Sequence, residues 1–290
     1  VPDAGPRGSY DGAMTRRALL TCALALLTLG TGLPLAASFA RQDEEPSPGA
    51  LVVVGGGGTP QEVLIEGLAR TGVASPHVVI LPQASGREDR GLGSVEMFRE
   101  LGVKSVDLID PIDETAITRL AQADLVWFPG GDQEKLSIAL HTGKLVQTLH
   151  ERHRAGAVIG GTSAGAAIMS RVMISGSPEP RALVGGAMRP FRGVGLWKGV
   201  IVDQHFVERD RLARLMTAVL DNPRLVGVGI SERTACIVEG ETFEVHGEGQ
   251  VVVYDARSCE IERFKAEELQ RGRDLRLHVV RPGERFDLAP

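Results

Sequence analysis

Cysteine is scarce: the chain has three in 290 residues, which excludes a disulfide-dense miniprotein. No run of lysine and arginine occurs, and the formal net charge is −5 with an isoelectric point near 5.9. The chain therefore carries no overall positive field, and no nucleic-acid partner is expected. Neither a Cys-x-x-Cys pair nor a histidine-rich spacing suggests a metal. The glycine run from Gly55 to Gly58 lacks the lysine of a phosphate-binding loop and the spacing of a dinucleotide fingerprint, so close backbone packing is the expected reason for it. Internal repeats and clean linkers are also missing, which favours one domain. What is present is 43% hydrophobic, 24% charged and 4% aromatic, with 36 glycines and a mean hydropathy of +0.01. That composition excludes a disordered tail or a collagen-like repeat, and the length can bury a sizeable core.

The first 40 residues stand apart. Met14 is followed by Arg16 and Arg17, then by a nearly uncharged Leu- and Ala-rich stretch from Ala18 to Ala37, then by Ser38, Phe39 and Ala40. A short basic region, an apolar run and small residues at a cut site read as a secretory signal cleaved after Ala40, with export to the periplasm or the exterior. A membrane anchor is the alternative, since about 20 apolar residues span a bilayer, but Gly30, Gly32 and Pro34 interrupt the run. The paired arginines also admit a twin-arginine route, and Val1 to Ala13 reads as an upstream extension. Removing residues 1–40 leaves 29 basic and 35 acidic side chains, and the cysteines Cys236 and Cys259. An oxidising compartment permits a bridge between them, but on β-rich segments unpaired thiols are the expectation.

After an acidic leader over 41–49, short apolar runs alternate with helical spacings. Strands are expected at Leu51–Val54, His77–Leu81, Ser105–Ile109 and Asp124–Phe128, with helices at Gln61–Arg70, Arg90–Leu101 and Asp113–Gln122. Such alternation predicts an α/β fold with a mostly parallel, doubly wound sheet and flanking helices. Ligands on such sheets gather beyond the carboxyl ends of the strands. From Leu225 the texture becomes closely spaced strands (225–230, 235–238, 242–245, 251–254), which predicts a C-terminal antiparallel β extension on the same sheet. The main domain is expected over 50–256, with 257–290 packed on it or trailing.

The run Ala157 to Ala167 takes an apolar strand through Gly161-Thr-Ser163-Ala-Gly165 into an Ala-rich helix, the context of a nucleophile elbow. There Ser163 would be exposed and the Ala164 amide aimed at an oxyanion. The alternative is a glycine-rich turn in which Ser163 only caps a helix. A serine nucleophile needs a base. His141, His150 and His153 lie on charged helical segments and suggest solvated roles, while His77, His246 and His278 sit at strand positions without acidic or glycine-rich context. His205 ends the strand-like run Val200 to Phe206, where its side chain would enter the loop layer. Glu232 lies just past another short strand and can orient an imidazole. The order Ser163, His205, Glu232 differs from the acid-before-histidine order of the α/β-hydrolases.

Four blocks resemble the cyanophycinase branch of the S51 serine peptidases, relatives of aspartyl dipeptidase. They are Gly160 to Ala166, Phe128-Pro-Gly-Gly-Asp-Gln133, Asp203-Gln-His-Phe206 with Arg209, Arg211 and Arg214, and Gly229 to Ala235. The resemblance runs from about residue 50 to 255. It implies a fold like class I glutamine amidotransferases, with serine at the elbow, and cleavage after aspartyl residues with release of β-aspartyl-arginine dipeptides. Position by position it implies Ser163 as nucleophile, His205 as base and Glu232 as acid, with the amides of Gly131 and Ala164 as the oxyanion hole. It implies Gln133, Asp203, Gln204, Arg209, Arg211 and Arg214 as substrate-binding residues, a peptide or cyanophycin-like polymer as substrate, no cofactor or metal, and a possible homodimer. A substrate alternating carboxylate and guanidinium suits arginine forks and carboxylate or amide acceptors. For the arginines the bland alternative is a solvated helix face paired with Glu208 and Asp210. Pro129 stands where the family usually has threonine. An isoaspartyl or aspartyl dipeptidase of the same fold is the alternative function, and a non-catalytic exported binding protein the alternative of another class.

Overall fold

The computed structural model describes residues 47–176, 181–262 and 265–289. The expected signal over 1–40, its cut after Ala40 and most of the 41–49 leader lie outside them.

The chain opens with β1 (Leu51–Val54), α1 (Gln61–Ala69), β2 (His77–Ile80), α2 (Leu92–Glu100), β3 (Ser105–Leu108), α3 (Ala116–Leu120) and β4 (Leu125–Phe128). Next come α4 (Gln133–Thr142), α5 (Leu145–Arg154), β5 (Val158–Thr162), α6 (Ala164–Ala167), β6 (Val172–Ile174) and β7 (Pro190–Arg192). The last part holds β8 (Val200–Gln204), α7 (Leu212–Asp221), β9 (Val226–Ile230), β10 (Thr234–Glu239), β11 (Thr242–Gly247) and β12 (Val251–Asp255). The ribbon β13 (Glu260–Ile261) and β14 (Gly272–Arg273) precedes β15 (Arg276–Val280) and β16 (Arg285–Asp287).

Two sheets organise twelve of these strands, and β6 with β7 and β13 with β14 form two-stranded ribbons. The larger has eight, in the order β16-β11-β10-β1-β5-β4-β2-β3. Its β1, β5, β4, β2 and β3 are parallel, and β10, β11 and β16 continue it antiparallel. The fold is thus mixed α/β with a mostly parallel central sheet, as expected. Strand alternation sends β1 side chains to both faces: Leu51 and Val53 join one apolar cluster, Val52 and Val54 another. Burial on both faces explains why these strands read as continuous apolar runs.

The expected C-terminal extension divides. While β10 and β11 lie on the large sheet, β9 and β12 belong to a second, four-stranded sheet, β15-β12-β9-β8. In it β8 and β9 run parallel and β12 and β15 antiparallel. Helix α7 covers it, packing Leu215 and Val219 into a third cluster with Ile201, Phe206 and Tyr254. Glycine in β9 makes room for this cover, since a methyl group on Gly227 would stand 2.6 Å from Val219 Cγ2 on α7. The tail contributes one strand to each sheet, β15 to the small one and β16 to the large one. Cys236 and Cys259 are both free, Cys236 buried in β10, where burial raises its thiol pKa well above the ordinary value. No helix among the described residues is long and apolar enough to cross a membrane.

Candidate active site

Ser163 follows β5 directly and caps α6 with φ +55° and ψ −108°. A non-glycine residue seldom adopts positive φ, and the cost is tolerated where surroundings over-determine it. Here they do. The Ser163 amide donates to Val54 O at 3.0 Å. A methyl group on Gly165 would fall 2.1 Å from Phe128 O, and one on Gly161 2.7 Å from Gly165 O. The two elbow glycines therefore let strand, turn and helix close on one another.

The imidazole comes from the other sheet. His205 follows β8, again at positive φ (+49°), and is 7% exposed. Its Nε2 lies 2.8 Å from Ser163 Oγ and its Nδ1 2.5 Å from Glu232 Oε1. With Glu232 ionised, Nδ1–H donates to the carboxylate and Nε2 is left to accept from the serine hydroxyl. Burial, the largest influence, pushes the His205 pKa below its ordinary value; the hydrogen bond to Glu232 opposes the shift, and the Arg209 and Arg211 charges reinforce it. The ring is accordingly neutral near pH 7, the state a general base requires. Ser163, His205 and Glu232, expected to act together, thus form one hydrogen-bonded chain.

The glycine run after β1 sits beneath this chain. A methyl group on Gly56 would lie 2.2 Å from His205 Cε1, and one on Gly57 2.5 Å from Glu232 Cβ and Oε2. The same segment accepts from both loops: His205 N donates to Gly55 O at 2.7 Å and Arg233 N to Gly56 O at 2.8 Å. The expected close packing is therefore packing against the imidazole and the carboxylate. Glu208 adds a tie that the sequence did not suggest, its Oε2 accepting from Glu232 N at 2.9 Å.

Of the expected oxyanion donors, Ala164 opens α6, so its amide has no earlier helical turn to donate to. Gly131 lies in the loop after β4, where a methyl group on neighbouring Gly130 would stand 3.4 Å from Ser163 Cβ. Asp132 caps α4 by accepting from Glu134 N and Lys135 N, which fixes that loop.

The six expected substrate contacts separate. Asp203 is 1% exposed and binds Arg214 through two guanidinium nitrogens, Nε at 2.9 Å. Arg211 donates from Nη1 to Gln204 O at 2.7 Å and to Gln204 Oε1, and lies 3.6 Å from Asp203. Gln133 is buried and donates to Ile174 O at 3.3 Å. Arg209 alone among the three arginines is exposed. The arginine-rich segment is not a solvated helix face: two of its cations are committed to the end of β8. The helical histidines are likewise half-buried, with His150 Nε2 2.8 Å from Val194 O and His141 Nδ1 2.9 Å from Ser137 O. No group of acidic, histidine or cysteine side chains among the described residues is arranged to hold a metal.

Residues 51–246 match the model of Peptidase family S51. A cyanophycinase from Synechococcus elongatus is 32% identical over 241 residues, 79% of this chain and 74% of that protein. One from Trichormus variabilis is 33% identical over 273 residues, 87% of this chain and 90% of that protein. Among solved structures, a peptidase from an acI-B1 Actinobacterium superposes with a TM-score of 0.59 at 22% identity, covering 84% of this chain and 98% of that one. A putative peptidase E protein from Listeria monocytogenes EGD-e gives 0.53 at 16% identity, covering 70% and 100%.

Proposed function

The chain belongs to peptidase family S51 and is a cyanophycinase-like serine-type peptidase; from that premise we propose that it hydrolyses aspartyl bonds of cyanophycin, releasing β-aspartyl-arginine dipeptides. The hydrogen-bonded chain Ser163–His205–Glu232 carries this reading. Ser163 Oγ attacks the aspartyl carbonyl while His205 Nε2 takes its proton. Glu232 holds the resulting imidazolium, and the amides of Gly131 and Ala164 donate to the oxyanion. Collapse of the tetrahedral adduct breaks the C–N bond, and His205 returns the proton to the leaving amine. Water, deprotonated by the same imidazole, then releases the acid and restores the serine. Exposed Arg209 supplies a cation for substrate carboxylates, and the Asp203–Arg211–Arg214 cluster holds the floor on which Gln204 and His205 stand.

The commitment of Arg211 and Arg214 to Asp203 and Gln204 also favours a second reading, an isoaspartyl or aspartyl dipeptidase, because fewer open forks suit a shorter substrate. Turnover of cyanophycin, isoaspartyl dipeptides and N-terminal aspartyl dipeptides by the wild type and by Ser163→Ala decides. Polymer cleavage with dipeptide release, lost in Ser163→Ala, is the expected result; cleavage of the dipeptides alone supports the second reading, and an active Ser163→Ala protein removes the nucleophile assignment. The basic-apolar-small pattern of residues 14–40 supports export, so that polymer outside the cell is the substrate. Mass analysis of secreted protein, with a new terminus at Arg41, tests that part.

A further inference from the structure

His205 and Glu232 stand on separate turns, one after β8 and one after β9, and the two turns are held in different ways. The turn after β8 closes on itself: Arg209 N donates to His205 O at 3.0 Å, and Arg211 N to Phe206 O at 2.9 Å. The turn after β9 is pinned from outside, through three successive amides that each reach a different segment. Ser231 N donates to Gln250 O at 3.2 Å, Glu232 N to Glu208 Oε2 at 2.9 Å and Arg233 N to Gly56 O at 2.8 Å.

The middle bond differs from its neighbours. It belongs to the amide of the acid itself, and it alone of the three ends on a side chain. That side chain comes from the turn of the base, since Glu208 is the third residue after His205. It therefore joins the two turns directly, whereas the other two bonds reach the β11–β12 turn and the glycine run after β1.

The acid has need of such a tie. The Glu232 side chain is 33% exposed, so close packing does not enclose it as it does His205, and its freedom has to be removed by bonds to its own turn. Its Oε1 must nevertheless stay on His205 Nδ1, because that contact fixes the tautomer in which Nε2 can accept from Ser163.

We propose that Glu208 is a positioning residue of the hydrolysis, its Oε2 holding the Glu232 amide so that base and acid keep their alignment; the inference rests on the Ser163–His205–Glu232 reading above. The bond asks for an acceptor oxygen at the right reach and makes no use of the charge. Glutamine has that reach and a carbonyl acceptor, while aspartate keeps the charge and is one methylene shorter.

Three variants at this exposed position separate the two properties, measured by kcat and KM on whichever aspartyl substrate the wild type turns over. Glu208→Ala should lower kcat about tenfold, with KM within about twofold of the wild type, as expected of a loosened base–acid pair. Glu208→Gln should keep kcat within about twofold, and Glu208→Asp should fall with the alanine variant. The downfield proton resonance of His205 Nδ1–H, assigned by its loss in His205→Gln, should move upfield in Glu208→Ala and Glu208→Asp and stay in place in Glu208→Gln, all with an unchanged urea midpoint. The resonance needs no substrate, so its movement in a protein that leaves cyanophycin intact would remove the substrate reading and keep the role of Glu208. Wild-type kcat with an unmoved resonance in Glu208→Ala, or Glu208→Asp active where Glu208→Gln is not, would overturn the proposal.

Discussion

The eight-stranded and four-stranded sheets contribute to the candidate active site in different ways. The large sheet supplies Ser163 on a turn whose geometry is local: glycines two residues to either side, an apolar strand before and a helix after. The small sheet supplies His205 and Glu232 at the ends of adjacent parallel strands, and their aim depends on contacts from elsewhere. Gly55 and Gly56 reach across from the large sheet to accept from His205 N and Arg233 N. Ser163 is thus positioned by its own turn, and His205 and Glu232 by a seam between sheets. A family can keep the first in a short motif, whereas the second needs several separated segments to agree.

The strongest way to break this picture is at the seam's product. Ser163→Ala and His205→Ala should each lower kcat by about 10⁴–10⁶-fold, and the double variant should fall no further, because groups that act as a unit lose their effect together. Additive losses, measured by kcat on cyanophycin, would mean that the two sheets do not work as one device. Next in size is the buried pair beneath the site. Arg214→Met leaves Asp203 without its bidentate partner and should cost about 3–5 kcal/mol in urea unfolding; Arg209→Gln, at an exposed side chain, should leave that midpoint in place. Gly56→Ala presses a methyl group on the imidazole and should cost about 10²-fold in kcat. Its far-ultraviolet spectrum should be unchanged. The pH profile is a subtler probe. Burial holds the His205 pKa below its ordinary value. The acid limb of kcat/KM should therefore lie below the ordinary histidine value of about 6.5, activity being lost as pH falls through the lowered pKa. Glu232→Gln removes the opposing influence and should move the limb lower still, besides reducing kcat. Smallest of all, Arg209→Gln should raise KM a few-fold for carboxylate-rich substrates with kcat nearly kept.

Much of the large sheet was legible, because strands buried on both faces announce themselves as apolar runs and the elbow carries its glycines beside its serine. The small sheet was legible as strands but not as a sheet. The runs 200–204 and 226–230 have the same texture as β1, and nothing in periodicity says which neighbour they pair with. The arginines were expected to meet substrate, with pairing to nearby Glu208 and Asp210 on a solvated helix face as the alternative; Arg214 binds Asp203, 11 residues away on a strand, a partner that local sequence does not point to. The glycines at 55–57 were visible as glycines, but what they make room for becomes definite only when His205 and Glu232 arrive from more than 140 residues later.

The two tail strands have a practical meaning for anyone cutting the chain. Residues 51–246 are the stretch that carries the family match, yet a fragment so bounded would lack β12, β15 and β16. It would leave β9 without its antiparallel neighbour and β11 without its cover. An uncovered apolar edge such as Val226–Ile230 is a template for another copy of itself. The last 44 residues thus guard against self-association, and a truncated protein should be recovered as aggregate even where every group of the active site is retained.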